Sequence, residues 1–434
     1  MQSLWQKTAT PLSFEALRGD IHTNVLIIGG GMAGILCAYE LTQAGIDAVV
    51  AEADRIGGGV SAGTTAKITS QHGLIYADLI RRFGKARAAA YLRANEEALA
   101  TYRRLSREMD CAYEEVDAYV YSRASSERIE QEIRAVTALG GRAELIRQDQ
   151  NLPFPISAAI RFPHQAQFHP LRFLYAIASH LRIYEQTPVR ELIGMRARTD
   201  RGSITAKHII VATHFPFLNK HGSYFLKLYQ QRSYVLALKN IPAINGVYLD
   251  QEKNGISLRQ CGEHLLIGGG GHRTGKDGGG WRALSDFVKQ IYPNAREDCR
   301  WATQDCMTLD GIPYIGRYSA RTPSLYVATG FNKWGMTSSM VAARLLKDLI
   351  CGIENPYAAL FSPSRSVLRP QLALNGAEAI YSLLAPTSRR CPHMGCALKW
   401  NKQEHTWDCP CHGSRFTEWG ELINNPATKD LPKK

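Results

Sequence analysis

The chain of 434 residues has no run of about twenty uncharged apolar residues, so no membrane-spanning helix is expected. Its first residues, Met1-Gln2-Ser3-Leu4-Trp5-Gln6-Lys7, lack the long apolar stretch of a secretory signal. A cytoplasmic protein is the expectation. There is no internal repeat and no low-complexity tract. Lys and Arg are scattered, and apart from pairs such as Arg389-Arg390 no basic block tracks a phosphate backbone. No nucleic-acid partner is therefore expected, although the formal charge is +13. That charge suits an acidic redox partner or an anionic substrate, and a generally solvated basic surface explains it as simply. With 45% apolar and 21% charged residues, the composition is that of a globular protein with two or three domains.

Ten cysteines are present. Cys37, Cys111, Cys261, Cys299, Cys306 and Cys351 are isolated and read as small core or half-buried side chains. Cys391, Cys396, Cys409 and Cys411 fall within 21 residues. Clustering of this kind in a cytosolic chain points to a metal or redox site rather than a secreted disulfide scaffold.

Near the start, Asn24-Val25-Leu26-Ile27-Ile28 reads as a buried strand running into Gly29-Gly30-Gly31-Met32-Ala33-Gly34. A helix is expected from about Ala33 to Ala44, with Gly45 at its C-cap, then a second strand over Asp47-Ala48-Val49-Val50-Ala51-Glu52. The pattern Gly29-x-Gly31-x-x-Gly34 supplies a tight turn, close approach of a pyrophosphate to backbone, and close helix-strand packing. The phosphates would sit on the helix N-terminus. Glu52 follows Gly31 by 21 residues, which places a carboxylate for the ribose hydroxyls. Strand, loop, helix, strand and acid in this order predict a dinucleotide site.

Two features favour FAD over NAD. Glu52 and Ala53 lead into a long Gly/Ser/Thr loop through Ser61, Gly63, Thr64 and Thr65, rather than a quick return to helix. Far downstream, Ser324 to Gly330 reads as a strand, and Gly330-Phe331-Asn332-Lys333-Trp334-Gly335-Met336-Thr337 makes a second Gly-bearing turn into a helix from about Met336 to Ile350. Between these parts, residues 76–138 have helical composition, with two or more helices expected. Ala159 to Phe162 and Lys207 to Thr213 read as strands, and Tyr224 to Gly270 as an antiparallel sheet. Asn355-Pro356 and Ser362-Pro363-Ser364 read as a linker.

The tail carries Cys391-x-His393, then fifteen residues, then Cys409-x-x-His412. Two thiolates suit one iron and two neutral imidazoles the other, the ligation of a Rieske 2Fe–2S cluster. Zinc is the competing ion, but a zinc finger pairs Cys with Cys and His with His, whereas these pairs are mixed. Because imidazole replaces anionic thiolate, the cluster potential should lie in the range of about −150 to +300 mV.

The ordered set of motifs resembles the D-amino-acid oxidase-like flavoproteins of the glycine oxidase and sarcosine oxidase type, and the whole chain resembles their subgroup with a C-terminal Rieske domain. The resemblance implies an α/β flavoprotein, a Rossmann-like FAD domain plus an antiparallel-sheet substrate domain, followed by a short all-β Rieske domain. FAD-binding parts are expected at 20–75, 155–215 and 300–352, substrate parts at 76–154 and 216–299, and an abbreviated Rieske domain at 361–434. It further implies that Gly29, Gly30, Gly31, Met32, Ala33, Gly34, Glu52 and Ala53 hold the ADP half of FAD. Ser61, Thr64 and Thr65 would run under the flavin, Val189 would offer backbone to the adenine, and Gly330, Gly335, Met336 and Thr337 would close over the ribityl chain and ring.

For the tail, the resemblance implies that Cys396 and Cys411 form a disulfide bracing the cluster loops, with two free thiols as the alternative. Ser414 resembles the hydroxyl donor to a cluster sulfur, Pro426 the shielding loop, and Phe416 stands where a Tyr is often found. Rieske domains have several strands before the first ligand loop, yet only about twenty residues separate Pro370 from Cys391 here. The cluster loops are therefore expected to lean on the flavoprotein body.

A flavin that accepts a hydride, joined to a one-electron carrier, implies oxidation of an amine or amino acid with electrons leaving for an external acceptor, for example an acidic redox protein. The alternatives are an electron-transfer or redox-sensing protein without a small amine substrate, and a flavoprotein with an empty tail. Amine oxidases of this kind often carry a Lys at the place of Met336-Thr337, so its absence favours a protein acceptor over O2. Lys67, Tyr229, Arg232, Tyr234 and Trp334 are candidates for the flavin face, and no base is assigned.

Overall fold

The computed structural model describes residues 1–218, 221–252, 255–387 and 389–432. Its first sheet runs, strand by strand, Tyr314–Arg317, Leu325–Thr329, Ser203–Val211, Ile21–Ile28, Ala48–Ala51 and Arg182–Tyr184. All neighbours are parallel except the Tyr314–Arg317 edge strand, and a hairpin of Glu191–Ile193 and Arg196–Arg198 lies beside Ser203–Val211. Parallel strands are covered on both faces and so read as continuous apolar runs. In Ile21–Ile28, Val25 and Ile27 join one core cluster and Leu26 and Ile28 the other. The first cluster is closed by the helices Met32–Gln43 and Gly335–Ile350, which pack on each other.

The second sheet orders Arg296–Thr308, Leu228–Lys239, His264–Arg273, Ser257–Cys261, Val247–Asp250, Glu114–Ser122, Ala158–Gln167 and Lys67–Ile68. Most pairs are antiparallel, but Val247–Asp250 runs parallel to Glu114–Ser122. The region read as helical, 76–138, holds helices Tyr76–Phe83, Lys85–Ser106 and Glu127–Ala138, and the strand Glu114–Ser122 interrupts it. In that strand Ala118 and Val120 are buried with Tyr119 half-buried between them, and Tyr121 and Ser122 beyond are buried too, a short local pattern that the composition of the flanking helices hides.

The tail sheet is a four-stranded antiparallel meander of Lys399–Asn401, Thr406–Asp408, Arg415–Thr417 and Leu422–Asn424. The span between Pro370 and the first ligand loop is a helix, Pro370–Leu384, with proline in its first turn. Its neighbour Ala358–Phe361 is a single helical turn within the segment read as linker.

Candidate functional site

The nucleotide turn has a stereochemical reason for each glycine that matters. Gly29 has φ +111°, and a Cβ there would lie 2.7 Å from the Ala212 carbonyl oxygen. A Cβ on Gly34 would run into the Gly29 carbonyl. Gly31 caps the helix Met32–Gln43 without a side-chain hydrogen bond of its own, so an anion at this helix N-terminus would meet the N–H groups that follow Met32. The Glu52 carboxylate accepts from Gly30 N at 2.6 Å and Asp54 N at 2.9 Å; burial raises its pKa against those hydrogen bonds. Met32 N donates to Ser61 Oγ at 2.9 Å, so the first glycine loop and the Ser/Thr loop meet. Ala33 is buried, Ala53 is exposed, and Val189 packs beside the second core cluster.

The Ser/Thr loop is pinned by side chains the sequence did not single out. Trp5 Nε1 donates to the Thr64 carbonyl at 2.7 Å and Trp301 Nε1 to the Gly63 carbonyl at 2.9 Å. Arg259 donates to the Thr65 carbonyl, to Gln167 Oε1 at 2.9 Å and to the Phe168 carbonyl at 2.8 Å. Its position inside an alternating strand gave no local signal of this role.

The second glycine turn is equally fixed. Gly330 has φ +71° at the end of the Leu325–Thr329 strand, and Gly335, Met336 and Thr337 open the following helix. Tyr102 OH donates to the Met336 carbonyl at 2.9 Å. His72 stacks on Trp334 with ring centroids 4.8 Å apart, and its nitrogens meet Thr337 Oγ1 at 3.0 Å and Tyr91 OH at 2.6 Å. Burial pushes its pKa down to about 3, so His72 is a neutral fastener of the turn.

Strand register sorts the remaining candidates. Tyr229, Gln231 and Ser233 stand opposite Met307, Asp305 and Thr303, so these six share one face. A Cβ on Gly63 would lie 2.9 Å from Thr303, so that face looks toward the Ser/Thr loop. Ser233 Oγ donates to Asp305 Oδ2 at 3.3 Å. Burial raises the Asp305 pKa, opposed by the Lys333 charge. Lys67, on the short strand beside this loop, is pushed down to about 7 by burial and by Arg259. Arg232 and Tyr234, expected at the flavin face, belong to the opposite one. A strand alternates, and these even-numbered side chains are spent on Glu404 of the tail.

In the tail each ligand loop closes on itself. Gly395 N donates to the Cys391 carbonyl and Gly413 N to the Cys409 carbonyl, both at 2.9 Å, with positive φ at both glycines. Cys391 and Cys409 face each other, and a hydrogen bond from Cys409 holds the Cys391 thiol below its ordinary range. The rings of His393 and His412 lie 4.9 Å apart at 90°, each with an edge contact to Phe215. Burial pushes His393 down to about 4 and His412 to about 3, so both are the neutral imidazoles a metal takes. His412 Nδ1 is buried without a hydrogen-bond partner among the described residues. A buried, unsatisfied imidazole nitrogen beside two thiols is what a cluster ligand looks like in a structure without metal. Cys396 and Cys411 are paired as a disulfide, with Cα atoms 6.8 Å apart. Cys409 also has its sulfur within 4.8 Å of that pair, which is consumed by its own bond and leaves Cys391 and Cys409 as the available thiols.

The histidine edge faces the flavoprotein. Gln230 Nε2 donates to the His412 carbonyl at 2.7 Å, and Gln304 Nε2 to the Gly413 carbonyl at 2.8 Å. Arg273 donates to the Pro410 carbonyl at 3.0 Å, and Asn425 Nδ2 to the Thr213 and Phe215 carbonyls at 2.7 and 2.6 Å. His214, half-buried and pushed down to about 4 by desolvation, sits in that same segment, and its carbonyl accepts from Thr329 Oγ1.

A Rossmann-like nucleotide turn, a sheet facing it, and paired Cys/His loops define a flavoprotein fused to an iron–sulfur domain. The chain belongs to the FAD dependent oxidoreductase family, whose model matches residues 24–349, and carries a Rieske [2Fe-2S] domain at 380–433. Its cofactors are FAD and a Rieske 2Fe–2S cluster. It is 37% identical to the Putative Rieske 2Fe-2S iron-sulfur protein YhfW of Bacillus subtilis, over 99% of this chain and 97% of that one. It is 25% identical to Gamma-glutamylputrescine oxidoreductase of Escherichia coli, over 85% and 94%. Among solved structures, glycine oxidase from Geobacillus kaustophilus matches in fold with TM-score 0.67 and 19% identity, over 80% of this chain and 99% of that one. The protein is an FAD-dependent oxidoreductase related to amino-acid and amine oxidases. No helix among the described residues is long and apolar enough to cross a membrane.

Proposed function

We propose that the chain oxidises a small amine or amino acid by hydride transfer to FAD and passes the electrons singly through the Rieske cluster to an external acceptor. In this reading residues 1–360 form the flavoprotein and 361–434 the iron–sulfur domain. Gly29, Gly30, Gly31, Met32, Ala33, Gly34, Glu52, Ala53 and Val189 hold the ADP half of the cofactor. Ser61, Thr64 and Thr65 underlie the flavin, and Gly330, Gly335, Met336 and Thr337 close over it. Cys391, His393, Cys409 and His412 hold the cluster, braced by Cys396 and Cys411.

One observation carries the reading. The segment Thr213 to Phe215 touches everything at once: it follows Ala212, which abuts Gly29; its His214 carbonyl is bonded from Thr329, next to Gly330; and Phe215 lies against both cluster histidines. The nucleotide turn, the flavin-closing turn and the cluster edge thus share one stretch of backbone. Asp305 and Ser233 on the face toward the Ser/Thr loop, with Lys333 nearby, offer opposite charges to the ammonium and carboxylate of an amino acid. A protein acceptor is preferred over O2 because Met336-Thr337 supplies no lysine at the closing turn.

Anaerobic stopped-flow mixing of the holoprotein with a panel of amines and amino acids tests this. The expected result is flavin bleaching followed by the EPR signal of a reduced cluster. Absence of bleaching with every donor overturns the enzyme reading in favour of an electron carrier, and zinc in place of iron overturns the cluster assignment.

A further inference from the structure

The helix Pro370–Leu384 is amphipathic with its polar side turned inward. Asn375 accepts from Arg273 at 2.9 Å, Glu378 pairs with Lys276 at 2.7 Å, and the Ser382 carbonyl accepts from Ala397 N at 2.9 Å. Its outer side carries Leu374, Tyr381 and Leu384, seven and then three residues apart along one helical stripe, with Ile380 four residues before Leu384 and Leu383 adjoining them. Leu384 is 78% exposed, and Leu368, just before the helix, is 80% exposed. Contiguous apolar patches of this kind mark an interaction surface. The patch continues into the first cluster loop, where Met394 is exposed and Arg390 ties the Leu383 and Gly395 carbonyls together at 3.0 and 2.9 Å.

Both ends of the stripe are cationic. At the start, the Arg369 guanidinium lies 5.1 Å above the Phe83 ring, joining the helix to a corner where Arg82, Lys85 and Arg87 are exposed. Arg87, Arg365 and Arg369 line a groove of about 480 Å³ there. At the other end stand Arg389 and Arg390. Arg82, Lys85, Arg87, Arg369, Arg389 and Arg390 have no ion-pair partner among the described residues, whereas Arg365 is taken by Asp310.

We propose that this face seats the protein on an anionic lipid surface. The helix lies in the interface, its stripe enters the acyl boundary, and the basic ends meet lipid phosphates. Fifteen residues make a helix of about 22 Å, too short to span a bilayer core of about 30 Å but suited to lying on one. Charge argues against a second copy: pairing two such helices side by side would bring cationic ends together in either orientation. A protein partner would need a groove complementary to this protruding ridge, whereas lipid conforms to it. The seat also brings the Cys391–Cys396 loop to the lipid boundary.

Flotation of the full-length holoprotein with vesicles tests the proposal. Binding is expected to phosphatidylglycerol-containing vesicles, to fall about tenfold or more on pure phosphatidylcholine, and to weaken at about 0.5 M salt. The triple variant Leu374→Glu/Ile380→Glu/Leu384→Glu should partition about tenfold or more weaker, with flavin absorbance intact. Arg82→Glu/Lys85→Glu/Arg87→Glu should lose much of the salt dependence. In Tyr381→Trp, the new indole should be quenched by brominated acyl chains, a readout that does not depend on the triple variant folding. No flotation of the wild type, undiminished flotation of the triple variant, or no quenching overturns the proposal. So does a dimer that fails to float and that the triple variant converts to monomer.

Discussion

Arg232, Glu404, Arg415 and Asp408 form a charge chain almost without access to water, with Arg232 3% and Glu404 9% exposed. Burial alone would raise the Glu404 pKa, but Arg232 and Arg415 outweigh it and hold the carboxyl below its ordinary range. Tyr234 OH adds a hydrogen bond to Glu404 at 3.0 Å. Two cations and two anions cancel, so the chain is tolerable when whole and costly when cut. Removing one member of a buried pair leaves its partner charged and desolvated, at about 3–5 kcal/mol, while an apolar replacement of both members is often neutral. Arg232→Met and Glu404→Leu should therefore each destabilise the tail by that order, and the double variant by much less than their sum. Thermal unfolding followed through the visible circular dichroism of the cluster measures the cycle. Strict additivity would show that the two side chains do not act as a pair.

At the scale of elements, one turn and one capping contact invite tests. Gly29→Ala forces a Cβ against the Ala212 carbonyl at a positive φ, so the first strand-to-helix turn cannot keep its shape. The variant should purify without flavin absorbance while retaining the cluster EPR signal; unchanged flavin content would dissociate this turn from FAD. Glu132, on Glu127–Ala138, accepts from Tyr76 N and Ala77 N at 2.6 and 2.8 Å and so caps Tyr76–Phe83 from a distance. Burial raises its pKa to about 7, from an ordinary 4.5. The folded state then binds the proton more tightly than the unfolded one, so this contribution is full below pH 4.5 and is lost as pH rises through about 7. The stability of Glu132→Gln relative to wild type should accordingly improve across that window in urea unfolding, and a pH-independent difference would refute the shift. The first strand, glycine turn and helix were legible because one local pattern encodes all three, and so were the mixed Cys/His pairs. Glu114–Ser122 was not, because nine residues of strand sit between helices whose composition dominates any window. Nor were Trp5, Arg259 and His72, whose roles lie in partners 59, 194 and 265 residues away. Arg232 and Tyr234 show the same limit from the other side: the alternation of a strand is visible in sequence, but which face meets which domain is decided by tertiary packing.

On the scale of the whole molecule, the tail is too slight to stand alone. Each of its four strands has three residues, and its buried core is four cysteines with Leu398, Phe416, Ala427 and Leu431. Domains this small ordinarily need a metal, disulfides or a neighbour. Here the neighbour supplies hydrogen bonds to four consecutive backbone carbonyls of the second cluster loop: Arg273 to Pro410 and Cys411, Gln230 to His412, and Gln304 to Gly413. The cluster loop is thus folded against the flavoprotein sheet rather than tethered to it. Cluster bleaching and flavin release should coincide in one thermal transition of the wild type. Arg273→Ala or Gln304→Leu, which strand those carbonyls, should split it, with the cluster lost at the lower temperature and flavin release little changed. Residues 361–434 made alone should hold no stable cluster. An isolated tail with a full Rieske signal, or a wild type whose cluster melts well before its flavin leaves, would show that the two parts fold independently.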